Sequence, residues 1–121
     1  MNSSIKLAEG ERKFAELIWK NEPVSSGALA KLAEEALSWK RTTTYTVLKR
    51  LQERELFVNE GGIVRSLLSK AEYELRISED FLREAFQGSL PSFLAAFTAK
   101  NRLTESEVLE LKKLIDSYSE H

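Results

Sequence analysis

Apolar positions recur every three or four residues through most of this chain, the spacing of helices packed along one face. Two short β-prone runs interrupt that pattern between Leu56 and Leu68. The first helix is expected from Glu9 to Lys20, with Phe14, Leu17, Ile18 and Trp19 inward. Gly10 weakens its first turn, and Asn21-Glu22-Pro23 ends it, because proline clashes with a continuing helix. Residues 1–6 read as loose. Ser25 or Ser26 suits the cap of a second helix reaching Leu37, whose expected stripe is Ala28, Leu29, Leu32, Ala33 and Ala36. A break at Ser38 to Arg41 contains no glycine, and Trp39 is expected to pack the turn. A third helix then starts at Thr42 or Thr43, with Thr44, Val47, Leu48 and Leu51 as its apolar stripe.

The interruption reads as a β-hairpin. Leu56-Phe57-Val58 and the run from Ile63 to Leu68 flank the turn residues Asn59-Glu60-Gly61-Gly62. Beyond it, Ser69-Lys70-Ala71-Glu72 has the spacing of a capping box, as does Thr104-Glu105-Ser106-Glu107. They open the fourth and sixth helices. Gly88 stops the fourth, Ser89 caps the fifth, and Pro91 is tolerated in its first turn. A helix, a short break and a second helix followed by a hairpin is the order of a winged helix-turn-helix. The fold expected is mainly α, with this domain over residues 1–69 and a helical dimerisation region over 70–121.

Charge sharpens the picture at one place. The chain's net charge is only −1. Residues 1–69 carry 11 Lys and Arg against 9 Asp and Glu, a net +2, whereas residues 70–121 carry 7 against 10, a net −3. The stretch 38–54 carries five cations against Glu53 alone, a net +4. The third helix therefore has an apolar stripe and a basic, hydroxyl-rich remainder. Lys and Arg meet phosphates, while Thr, Tyr and Arg reach base edges. The candidate DNA-contacting residues are Lys40, Arg41, Thr42, Thr43, Tyr45, Thr46, Lys49 and Arg50, joined by Arg65 from the hairpin. Two readings stand for each element: the helix face contacts a polyanion or is simply solvated, and the hairpin touches the duplex or merely covers the core. Glu60 in the hairpin turn weighs against phosphate contact.

The chemistry of enzymes is missing. There is no Cys, and the single His is the last residue, His121. No Gly-rich phosphate loop is present, and the carboxylates fall on helix faces and in capping boxes. A non-enzyme with no metal and no cofactor is expected. With no long apolar run and no signal pattern, the reading is a cytoplasmic protein without membrane insertion.

The last three helices are too small to bury a core of their own. Pairing with a second copy completes it and joins two DNA-reading heads; the alternative is a monomer whose helices fold back on the first domain. The homodimer is the favoured reading. Its candidate interface is Tyr73, Ile77, Phe81, Phe86, Phe93, Phe97, Leu111, Leu114, Ile115 and Tyr118.

In their order and spacing, several short pieces resemble the penicillinase repressor family, the BlaI/MecI/CopY group of bacterial winged-helix repressors. These pieces are Leu7 with Glu11, Phe14 to Trp19, Pro23-Val24, Trp39, Thr43-Thr44-Tyr45-Thr46-Val47-Leu48-Lys49-Arg50-Leu51, Gly88-Ser89 and Leu103-Thr104. The resemblance covers nearly the whole chain. It implies a homodimer on a palindromic double-stranded operator, repressing antibiotic-resistance or stress genes. Thr43, Tyr45 and Thr46 would touch bases or nearby phosphates, and Lys49, Arg50 and the wing would add backbone contacts. In the β-lactam branch of the family, a sensor-protease pathway cleaves the fifth helix, here near Ala96–Phe97. Three departures bear on this. Ala96 stands where those repressors have Asn, the Cys pairs of the copper branch are missing, and Arg54-Glu55 replaces the usual Lys-Gly after the third helix. A winged-helix module that binds protein and not DNA is the rival reading.

Overall fold

The computed structural model describes residues 5–119. The chain is mainly α-helical with a small three-stranded antiparallel sheet, a topology consistent with a winged helix. Its order is α1 (Glu9–Asn21), β1 (Val24–Ser25), α2 (Ser26–Leu37), α3 (Arg41–Glu53), β2 (Phe57–Glu60), β3 (Ile63–Ser66), α4 (Lys70–Phe86), α5 (Leu90–Thr98) and α6 (Glu105–Ser119). Two compact units divide the chain between Asp80 and Phe81, so the first 11 residues of α4, Lys70 to Asp80, belong to the first unit. The expected boundary at 69/70 thus lies inside the first unit. The physical reason is Tyr73, whose ring is buried against Trp19 and whose hydroxyl accepts the Leu7 N–H at 2.9 Å.

The core of the first unit is a single cluster that includes Phe14, Ile18, Leu29, Leu48, Leu51 and Phe57. Burying each such side chain stabilises the fold by about 2 kcal/mol. In α1 the inward residues are Phe14, Ala15 and Ile18, with Leu17 and Trp19 partly buried. Trp19 donates its Nε1–H to the Leu68 carbonyl at 3.0 Å. Trp39 stacks on Phe14 at a centroid distance of 5.2 Å, which fixes the chain on entry to α3. The buried stripe of α2 is Leu29, Ala30 and Ala33; Ala28 and Ala36, expected there, are exposed. The stripe is rotated because Ser25 caps the helix, accepting the Ala28 N–H at 3.1 Å, and Ala28 is thereby held in the exposed first turn. Ile5, within the segment expected to be loose, packs against the core, and Leu7 just beyond that segment is buried. Residues 1–4 and His121 lie outside the described residues.

No glycine marks the break between α2 and α3, yet the turn is made by a left-handed residue. Ser38 has φ of 59°, and the N–H groups of Ser38 and Trp39 donate to Glu34 and Ala33. The hairpin turn is tighter than expected. Asn59 and Glu60 are strand residues paired with Val64 and Ile63, leaving only Gly61 and Gly62 between the strands. Both glycines have positive φ, 61° and 85°, which suits a two-residue turn of the primed class. β1 pairs Val24 with Val64 and Ser25 with Ile63, making β3 the central strand. The Glu22 carboxylate adds to that joint by accepting the Ser66 backbone N–H and hydroxyl.

Both capping boxes form. Ser69 N–H donates to Glu72 at 2.9 Å and Glu72 N–H to the Ser69 hydroxyl at 3.1 Å, and Thr104 and Glu107 repeat the exchange. The bonds from Ser69, first its backbone N–H and then its hydroxyl, hold the Glu72 carboxyl below the usual carboxylate range. The Glu16 carboxylate, 3.0 Å from Lys70, holds that ammonium above the usual lysine range.

In the second unit Phe81, Phe86, Phe93 and Phe97 form a chain of ring contacts with centroids 5.5 to 5.9 Å apart. No residue of α5 or α6 is buried.

Candidate nucleic-acid interface

Helical geometry sorts the residues of α3. Thr44, Val47, Leu48 and Leu51 are buried, so the opposite side is set by the 3.6-residue period. Thr42, Thr46, Lys49 and Glu53 run along the outward line, and all four are exposed. Arg41 and Tyr45 lie on one flank, with Gln52 partly buried beside them. Thr43, Arg50 and Arg54 lie on the other. Each flank is tied to a neighbour. On the first, Gln52 Oε1 accepts the Asn59 N–H of β2 at 3.2 Å, which fixes the hairpin to α3. On the second, Arg50 and Arg54 reach back to α1.

The expected DNA-contacting residues on α3 and at its cap are brought together on one exposed surface. Lys40 is the N-cap, and it makes no side-chain capping bond. The first turn of α3 holds no acid, so the positive end of the helix dipole is uncompensated there. Tyr45 is 37% exposed, a ring half-free beside the threonine line.

The cations of this surface divide into two classes. Among the described residues, Lys40, Arg41 and Lys49 have no carboxylate within ion-pair distance. Arg50 instead lies 3.3 Å from Glu11, and Arg54 lies 3.6 Å from the same carboxylate. Arg65, expected as the hairpin's phosphate contact, is 3.1 Å from Glu60 across β2 and β3. The stretch that counts as +4 along the chain is less positive in space, because a carboxylate 39 positions away serves it. Sequence reasoning missed Glu11. Ala8 at the cap lacks the hydroxyl of a capping box, although Glu11 accepts the Ala8 N–H at 3.0 Å all the same.

The residues expected at a dimer interface fall into three groups. Tyr73 and Ile77 pack on the core of the first unit, so Tyr73, at 6% exposure, has no surface left for a partner. Phe81, Phe86, Phe93 and Phe97 are engaged with one another, though Phe81 and Phe97 stay 48% and 44% exposed. Leu114, Ile115 and Tyr118 project from α6 at 60% exposure or more, and Leu111 beside them is half-buried.

A groove of about 540 Å³ runs along α1 and α4, lined by Leu7, Arg12, Glu16, Trp19, Tyr73 and Ile77 among others, with no residue of α3 in it. Among the described residues no helix is long and apolar enough to cross a membrane, and no three metal-ligating side chains gather.

Comparison with known proteins places this architecture. The methicillin resistance regulatory protein MecI of Staphylococcus aureus is 20% identical over 119 residues, spanning 95% of this chain and 97% of the relative. The same protein of Mammaliicoccus sciuri is 19% identical with the same coverage. The penicillinase repressor of Bacillus licheniformis is 22% identical over 122 residues, spanning 93% and 91%. The family described as penicillinase repressor matches residues 7–117, and the chain belongs to that family.

Proposed function

We propose that this protein is a sequence-specific DNA-binding transcriptional repressor. It acts as a homodimer on a palindromic operator of antibiotic-resistance or stress genes. The carrying observation is the outward surface of α3, where exposed threonines and Tyr45 alternate with Lys40, Arg41 and Lys49. In this reading α3 enters the major groove. Thr42, Thr43, Tyr45 and Thr46 meet base edges or nearby phosphates, and Lys49 with the two cations at the helix start holds the backbone. β2 and β3 serve as the wing. The names of the relatives, regulators of methicillin resistance and of penicillinase, support the class of target.

Dimerisation rests on α6. A helix that exposes Leu109, Leu114, Ile115 and Tyr118, in a unit with no buried residue in α5 or α6, leaves apolar surface that a second copy would cover. Two heads would then meet half-sites one helical turn or a multiple apart, about 34 Å each. A bound dimer excludes polymerase sterically.

Selection of duplexes from a random pool, with gel filtration of the same protein, tests the reading. An inverted repeat recovered by a dimer is the expected result. The rival, a protein-docking module, draws on the Glu60–Arg65 pair and on Ile63, 45% exposed beside it. No enrichment at low salt from a folded dimer favours that rival. Within the DNA reading, Lys49→Ala is expected to weaken operator and scrambled duplexes alike and to lower the salt slope by about one unit. Tyr45→Ala is expected to change preference among sequences by roughly 1–3 kcal/mol. Equal losses for both variants on both duplexes would contradict the division of roles.

A further inference from the structure

We infer that Glu11 sets the charge that α3 presents to DNA, by holding the exposed Arg50 side chain against α1 and keeping it out of the phosphate contacts. This rests on the DNA-binding reading and deepens it. The Glu11 carboxylate belongs to the first turn of α1, and its side chain is only 14% exposed. One oxygen accepts the Ala8 N–H at 3.0 Å and lies 3.6 Å from Arg54. The other accepts from Arg50 at 3.3 Å. Arg54 also donates to the Lys6 carbonyl at 3.5 Å. A carboxylate so placed is held by the α1 backbone and cannot follow Arg50 outward. Arg50 in turn stands on the flank of α3 that faces α1, off the outward line of Thr42, Thr46 and Lys49. To reach a phosphate it would have to leave a half-buried carboxylate with one fewer cation, an unfavourable exchange because a partly desolvated charge loses more than an exposed one.

The consequence is countable. Each cation that neutralises a phosphate on binding steepens the dependence of log affinity on log salt by about 0.9. Arg50 is not among those cations in the native protein. Glu11→Gln keeps an acceptor for the Ala8 N–H while removing the negative charge, and so releases Arg50 at the rim of the surface. Salt slopes on one operator duplex are measured for the native protein, Arg50→Gln, Glu11→Gln and the double variant, with thermal unfolding confirming each fold.

Arg50→Gln is expected to leave the slope unchanged. Glu11→Gln is expected to steepen it by about 0.9, and the double variant to restore it. A purely structural pair would move the unfolding temperature without steepening any slope. A slope lowered by about 0.9 in Arg50→Gln, or unchanged in a folded Glu11→Gln, overturns the assignment. Should Glu11→Gln not fold, Arg50→Gln decides alone. Native protein that binds no duplex overturns the DNA reading itself, and this assignment with it.

Discussion

Glu55 has φ of 62°, in the left-handed region, at a position where the family usually has glycine. Glu55 N–H donates to the Gln52 carbonyl and Leu56 N–H to that of Leu51, the paired bonds that end a helix on a left-handed residue. An L side chain there is strained. Glu55→Gly is therefore expected to stabilise the protein by about 1 kcal/mol, measured by urea unfolding. Thr44 shows the opposite relation between sequence and structure. Its place in the apolar stripe of α3 was legible from spacing alone, and it is fully buried. Its Oγ1 has no hydrogen-bond partner among the described residues, which no spacing announces. Glu11 was illegible for a third reason. Its partners on α3 are distant in the chain, and only the packing of α1 across α3 brings the charges together.

Elements were legible where local chemistry specifies them. Both capping boxes, the Gly88 stop and the hairpin follow from residues within a few positions of one another. β1 was not, because two residues carry no periodicity and strand pairing with β3 is a long-range event. The start of α4 carries a prediction at this scale. Bonding by Ser69 lowers the pKa of Glu72 in the folded chain below its unfolded value of 4.5. The charged form therefore adds stability that is fully present above pH 4.5 and is lost as the pH falls through the lowered folded value. Glu72→Gln keeps the hydrogen-bonding shape without the charge. The stability gap between it and the native protein, followed by thermal unfolding across acid pH, is expected to close below that window. A gap that persists unchanged into strong acid would show that the charge adds nothing.

For the whole molecule, the division between Asp80 and Phe81 changes the account of charge. Residues 1–80 hold 13 Lys and Arg and 13 Asp and Glu, and residues 81–121 hold 5 and 6. The contrast between a basic front and an acidic back came from cutting the chain at 69/70. What survives is local, three cations on one helix surface without carboxylate partners among the described residues. The dimer proposed above makes its prediction at this scale. Leu114→Glu combined with Ile115→Glu places charge on the exposed side of α6 and is expected to give a monomer by gel filtration, with the first unit still folded by circular dichroism. An unchanged elution volume would assign the interface elsewhere.

β3 is bonded on both sides, by β1 and by β2. The sheet thus ends in one edge of two residues and another of four, the latter closing on Glu60. Neither offers a stranger's strand enough unpaired backbone to add on, and a charged residue stands at the longer edge. Such short edges keep the sheets of separate copies from joining into aggregates, a protection to which the two-residue strand Val24–Ser25 contributes.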